Sequence, residues 1–295
     1  MARLLQNWWI FVSERFPLGS HIPMVGLFCL GNVALTENLT AKTGLLSPSI
    51  FIITFLFFFR LRCFDEIKDY QVDLKVNPTR PLARGVLSID QVRIMIVCIL
   101  VIELALASRI GTGPLVLHMV AVTYSLLMRV EFFIGKWLSR HLTTYAVTHT
   151  FVSMLLGLSI AAQATGVVNE DMLKTLIWAA PINWALFNLF EFARKTFAPE
   201  EERPNVESYS LNFGLLGAVV LSLSQVVGAL AVLWYLGLAS LEGFEIQAAC
   251  ALIPLLAGVY LVISKSKISG KVFRAVTGAY LLLFYSLLTY QGMFL

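Results

Sequence analysis

Asp65, Glu66, Asp69 and Asp73 crowd four carboxylates into one short helical stretch. Carboxylates that close repel one another unless cations sit among them. At 3.6 residues per turn, Arg62, Glu66, Asp69 and Asp73 fall within about 60° of one face, with Asp65 at its edge. Oxygen-only ligation, without His or Cys, suits a hard ion such as Mg2+. Mg2+ takes one or two carboxylates and fills its shell with waters and substrate phosphate oxygens, so the pattern calls for a phosphorylated ligand as well. Lys75 follows, and then Asn77-Pro-Thr-Arg80-Pro-Leu-Ala-Arg84-Gly85. Arginines beside an acidic metal cluster grip a diphosphate through paired hydrogen bonds. The competing reading is a solvated helix end whose acids pair with Lys68 and Lys75. The periodicity, and the position just where an apolar stretch ends, argue against it.

A second charged constellation ends another apolar stretch: Asn188-Leu-Phe-Glu191-Phe-Ala-Arg194-Lys195, followed by Glu200-Glu201-Glu202-Arg203-Pro204. Asn188, Glu191, Arg194 and Lys195 share one helical face. Glu191 sits at the membrane edge, whereas Glu200 to Glu202 fit a solvated charge run equally well.

The elements that position these groups are spans of a bilayer. Hydrophobic residues make up 58% of the 295-residue chain and charged residues 14%, against about 25% charged in a typical soluble domain. No soluble core hides that much apolar side chain, so the expected fold is an all-α polytopic membrane protein. Nine stretches come close to the roughly 20 apolar residues of a span: 18–35, 46–64, 91–108, 112–129, 143–163, 172–192, 210–238, 246–264 and 272–293. With the N-terminus in the cytoplasm, only Lys42, Arg109 and Lys174 of the 22 Lys and Arg residues fall outside, a strong positive-inside bias. The basic balance therefore reflects topology, and nucleic acid is not an expected partner. The whole of 1–295 reads as one transmembrane domain. Within it, 1–17 is an interfacial segment carrying Trp8, Trp9 and Phe11, and 65–89 and 193–209 are cytoplasmic caps. The N-terminal stretch, broken by Arg3, Glu14 and Arg15, does not read as a cleavable signal. Cys29, Cys63, Cys98 and Cys250 lack metal-site or disulfide spacing and read as packing residues. Glu103 and His118 lie at similar depth within spans, far from the cytoplasmic acids, and read as a structural pair.

Asp65-Glu66-x-x-Asp69-x-x-x-Asp73 resembles the N-D-x-x-D-x-x-x-D motif of the UbiA superfamily of intramembrane prenyltransferases, and Arg80-Pro81-Leu-x-Arg84-Gly85 resembles that family's R-P-x-x-x-G. Asp65 for Asn and Glu66 for Asp both keep oxygen ligands. The second acidic motif, D-x-x-x-D, has its counterpart in Glu191-x-x-x-Lys195, where a cation replaces the second acid; alternatively the motif has slipped into Glu200 to Glu202. Tyr124-x-x-x-Met128-Arg129 is similar to the family's Y-x-x-x-K-R, and Ser208-Tyr-Ser-Leu-Asn-Phe-Gly214 to its S-T-x-x-x-x-G.

The resemblance implies helices bundled around a central chamber and transfer of an isoprenyl group from an allylic prenyl diphosphate to a small or lipophilic, aromatic acceptor, with Mg2+ as cofactor and membrane lipid around the chain. On that basis Glu66, Asp69, Asp73 and Glu191 are the expected metal and catalytic ligands. Lys75, Arg80, Arg84, Arg129, Arg194 and Lys195 are the expected diphosphate contacts, and Asp65, Asn188, Tyr124 and His149 the supporting residues. A terpene cyclase of the same superfamily is the alternative, since it ionises the same diphosphate but uses an alkene of the same chain as nucleophile. A transporter or non-catalytic scaffold is less apt, because transporters place charged binding residues near the midplane, not at one interface. The acceptor's identity and the prenyl length are not encoded in these motifs.

Overall fold

The computed structural model describes residues 2–40, 47–166, 168–204, 206–238 and 243–294. Lys42, assigned above to an external loop, lies outside the described residues. The chain is all helical, with no strand among the described residues. The first half comprises α1 (Ala2–Arg15), α2 (Leu18–Thr40), α3 (Pro48–Val76), α4 (Ile89–Ile110), α5 (Thr112–Arg129) and α6 (Gly135–Leu138), with a 3-10 turn at Glu131–Phe133 before the last. The second half comprises α7 (Leu142–Thr150), α8 (Val152–Thr165), α9 (Glu170–Ala179), α10 (Pro181–Arg194), α11 (Tyr209–Tyr235), α12 (Phe244–Cys250), α13 (Leu252–Ser264) and α14 (Lys267–Phe294).

Helices lie on each of the nine apolar stretches. Six helical stretches are long and apolar enough to cross a membrane: Leu18–Thr40, Leu142–Thr165, Glu170–Arg194, Tyr209–Tyr235, Phe244–Ser264 and Lys267–Gln291. The other three, in α3, α4 and α5, carry Arg60, Glu103 and His118 inside their lengths. Several spans are two helices in series. Pro181 starts α10 directly behind Ala180, because a prolyl nitrogen has no hydrogen to continue the ladder of the helix before it. In α11 the backbone leaves helical geometry at Gly214, with φ 70°, a region that a side chain would strain. Residues 65–76, the first part of the expected cap, prolong α3 as helix, in keeping with the helical spacing of their acids. The interfacial segment is likewise a helix, and its Phe11 is fully buried against Phe59.

The largest apolar core is drawn from α2, α3, α5, α8, α10, α11 and α14. Two buried polar knots pin it. Asn32 and Asn183 exchange side-chain hydrogen bonds at 3.2 and 2.7 Å, and the Tyr285 hydroxyl donates to Asn183 Oδ1 at 2.7 Å. These bonds join α2, α10 and α14. A Cβ at Gly157 would overlap the Asn183 amide, so glycine is what lets α8 close on this knot. The second knot centres on Arg60, which is wholly buried. Its Nε and Nη2 donate to the two oxygens of Glu103 at 3.1 and 3.0 Å, and its Nη1 to Ser125 Oγ at 2.8 Å. His118 Nε2 lies 3.3 Å from Glu103 Oε2, and its Nδ1 lies 3.0 Å from Ser159 Oγ. Glu103 and His118 thus meet as expected, with Arg60 as a third member that supplies the charge Glu103 needs in an apolar medium.

Candidate functional site

A cavity of about 970 Å³ opens among α2, α3, α5, α7, α8, α10 and α14. Met24, Phe58, Leu61, Phe187, Leu281 and Leu282 line its apolar part. Arg62, Asp65, Lys68, Asp69, Arg129, Glu191, Arg194 and Lys195 supply its charged part. Phe58 and Phe187 stack at 6.1 Å between ring centroids, from α3 and α10 respectively.

On α3 the lining residues are Phe58, Leu61, Arg62, Phe64, Asp65, Lys68 and Asp69. Steps of three and four define one stripe of a 3.6-residue helix. Asp65, expected at the margin, lies on that stripe, and Glu66 and Asp73 lie on its flank and do not line the cavity. Their charges are already engaged. Buried Glu66 accepts a hydrogen bond from Arg15 Nε at 2.6 Å and pairs with Arg62. Buried Asp73 receives Arg80 Nη1 on both oxygens, at 2.7 and 2.6 Å, and Asn77 Nδ2 at 3.1 Å. The expected ligand face is thus rotated: the cavity receives Asp65 with Asp69, whereas Glu66 and Asp73 fasten α3 to α1 and to the turn after it.

Asp65 and Asp69 form no ion pair among the described residues. Burial pushes the Asp65 carboxyl up to about 6, with Arg62 opposing and Asp69 adding to the rise. Burial also raises Asp69, against the pull of Lys68 and with a push from Asp73. Both acids are open to the cavity and lack an ion-pair partner, so a bound cation would relieve their mutual repulsion.

The opposite wall is α10. Glu191 is gripped by Arg194, through Nε and through Nη2 at 2.9 Å, and Lys195 Nζ stands 3.3 Å away. Asn188 is buried and does not line the cavity; it accepts the Thr150 hydroxyl. Glu200 to Glu202 are spent on the cap. Glu200 accepts the Lys267 backbone N–H at 2.9 Å, Glu201 is bound by Arg274 at 2.9 Å, and Glu202 accepts the hydroxyls of Ser208 and Ser210 at 2.9 and 2.6 Å. None of the three lines the cavity.

Among the expected diphosphate contacts, Arg129, Arg194 and Lys195 line the cavity. Arg129 also lies over the Phe64 ring at 5.3 Å. Lys75 is exposed outside the cavity, Arg80 is committed to Asp73, and Arg84 pairs with Glu14 at 2.6 Å. His149 lines the cavity, its Nδ1 2.7 Å from the Tyr145 carbonyl oxygen. Tyr124 stands behind the lining and donates its hydroxyl to Thr148 O at 2.7 Å. Arg62 and Lys68 line the cavity unforeseen. The available signal was their spacing, three residues to either side of Asp65. Lys68 bridges to Glu131 at 2.6 Å and to the Tyr145 hydroxyl.

No group of three His, Cys, Asp or Glu side chains converges as a complete metal cage among the described residues. The donor set fits a less complete site. Asp65 and Asp69, one turn apart and unpaired, offer the one or two carboxylates from which Mg2+ is usually held when waters and phosphate oxygens supply the rest.

The sequence matches no protein-family model and no curated protein. Two solved structures share its fold. One is a digeranylgeranylglyceryl phosphate synthase, with TM-score 0.67, 14% identity and coverage of 100% of both chains. The other is a UbiA homologue from Aeropyrum pernix K1, with TM-score 0.58, 17% identity, and coverage of 87% of this chain and 96% of that one. The chain therefore has the UbiA fold and is an integral membrane protein. The resemblance carried by the two charged motifs is borne out at the level of the fold.

Proposed function

We propose that the protein is an intramembrane prenyltransferase that takes an isoprenyl group from an allylic prenyl diphosphate and delivers it to a lipophilic acceptor. The observation that carries this reading is one cavity holding two bare carboxylates, several cations and a long apolar wall. The likeness of fold to a digeranylgeranylglyceryl phosphate synthase supports it.

Asp65 and Asp69 would hold a magnesium ion, which would supply stabilisation of the charge on departing diphosphate. Arg129, Arg194 and Lys195 bind the diphosphate oxygens and strengthen their hold as the allylic C–O bond breaks, the differential binding that lowers a barrier. Lys68, neutralised by Glu131 and bonded to Tyr145, braces the cavity wall beside them. Phe58 and Phe187 offer ring faces to an allylic cation. Met24, Leu61, Leu281 and Leu282 surround the chain and keep water from the cation until the acceptor reaches it. In this reading the charged end of the cavity faces the cytoplasm, on the side of the basic segments.

Mass spectrometry of products from purified protein in lipid nanodiscs tests the reading. A panel of farnesyl and geranylgeranyl diphosphates is supplied with Mg2+, with and without membrane extract. Acceptor-dependent prenylated product is expected. A cyclic hydrocarbon made without acceptor would reassign the cavity to cyclisation. Diphosphates that survive intact under every condition would refute ionisation chemistry altogether.

A further inference from the structure

The two walls of the cavity differ in charge, and the difference specifies how many metal ions the ligand brings. On α3, Asp65 and Asp69 are unpaired and one turn apart. On α10 the single carboxylate, Glu191, is contacted by three nitrogens from Arg194 and Lys195. A carboxylate shared between a guanidinium and an ammonium has little negative potential left for a divalent ion, and an ion placed there would also meet both cations. The carboxylate instead holds the two cations at the cavity edge, where the Arg194 side chain remains 51% exposed and that of Lys195 26%. Two basic groups against one acid leave that wall with one net positive charge.

Charge balance elsewhere points the same way. Lys68 is engaged by Glu131, whereas Arg15 and Arg62 share Glu66 and leave one net positive charge behind α3. Arg129 has an aromatic neighbour and no acid in contact among the described residues. One divalent ion on Asp65 and Asp69 neutralises that pair and no more. Arg129, Arg62 and the α10 pair then remain as the net positive charge that a polyanionic diphosphate meets.

We propose that the cavity binds its prenyl diphosphate with one divalent ion, on Asp65 and Asp69, and that Arg194 and Lys195 stand where a second ion would. This rests on the prenyl diphosphate reading above. It assigns the α10 cations a direct bond to the phosphate oxygens that waters on a metal would otherwise supply.

Counting ions tests it without turnover. Full-length protein in nanodiscs is titrated with Mn2+ in the presence of farnesyl thiolodiphosphate, whose C–S bond resists ionisation, and bound ion is read from the loss of the free Mn2+ signal in electron paramagnetic resonance. The expected result is one Mn2+ per chain, dependent on the analogue, and none in Asp69→Asn. In Arg194→Ala with Lys195→Ala, the ion count stays at one and the analogue binds about tenfold or more weakly, the usual loss of charge-assisted hydrogen bonds. Two Mn2+ per wild-type chain would overturn this inference and leave the prenyl diphosphate reading standing. So would unchanged analogue affinity in the double variant. Failure of wild-type protein to bind Mn2+ and analogue together would overturn both. The wild-type count decides the matter even if a variant fails to fold.

Discussion

Along α3, Asp65 and Asp69 face the cavity without an ion-pair partner, whereas Glu66 and Asp73 turn aside into the grip of arginines from α1 and from the following turn. The four acids have nearly identical chemistry and lie within one helical stretch. What separates them is about a quarter turn of rotation, and with it the fate of their charge. The outer pair is cancelled by the protein and holds elements together. The inner pair is left uncancelled on the cavity wall, where a ligand can reach it. Arg60, just before them in sequence, represents a third condition: fully desolvated and fully paired, with Glu103.

Substitution at the inner pair sharpens the contrast most. Asp69→Asn, and separately Asp65→Asn, are expected to lower kcat/KM for prenyl transfer by about 10³-fold, the scale of losing a main electrostatic group at a leaving anion. The melting temperature should stay unchanged or rise. Near-normal turnover in either variant would break the comparison. The buried pair should respond in the opposite currency. Glu103→Gln leaves Arg60 charged in an apolar setting and is expected to destabilise the protein by about 3–5 kcal/mol, read as a lowered melting temperature in detergent. Replacing both, as Arg60→Met with Glu103→Leu, should recover most of that loss. The outer pair comes next. Glu66→Gln and Asp73→Asn each remove a charge-assisted bond worth about 1.5–3 kcal/mol in stability, and folded protein should keep activity within about tenfold of wild type. A loss of activity as deep as in Asp69→Asn would restore the outer pair to the site.

The smallest effect is one of pH. The Asp65 carboxyl is raised from 3.8 to about 6 in the folded chain, so the folded state holds that proton more tightly than the unfolded one. Its stabilising contribution is present at low pH and lost as pH rises from about 4 through about 6. Metal-free protein with EDTA should therefore show a melting temperature that declines over that interval, and Asp65→Asn should flatten the decline. An identical slope in the variant would place the titration elsewhere.

Much of this was legible in the sequence. Apolar runs with lengths near that of a bilayer marked the spans, and the described helices fall on all nine. Hydropathy does not report where a helix is interrupted inside an apolar run. The breaks at Phe151, Ala180 and Ala251 depend on local packing and on single prolines, and went unread. At the site, residue type identified the acids, but rotation about α3 decided which of them meet the cavity. A face about 60° wide includes Arg62, Asp69, Glu66 and Asp73 alike, and only the neighbours settle its aim. Arg15 and Arg80 draw Glu66 and Asp73 aside, and no local periodicity encodes an arginine 51 residues away. Lys68 was visible as a charge among acids, but its partner Glu131 comes from a different helix connection. The cation pair at Arg194 and Lys195 was legible as it stands, because both members and Glu191 lie within one turn or so of the same helix.

The knot around Arg60 also constrains how the chain is made. A lone arginine or glutamate at the bilayer centre costs several kcal/mol, and Arg60 and Glu103 belong to successive helices, α3 and α4. Neither α3 nor α4 is a comfortable guest of lipid by itself. They should leave the insertion machinery as a hairpin, charge already matched to charge, and wait there for α5 and α8 to bring His118 and Ser159. The order of synthesis and the order of burial then coincide, so a pause or a missing partner in this first half would leave an insertion intermediate exposed to quality-control proteolysis before the cavity exists.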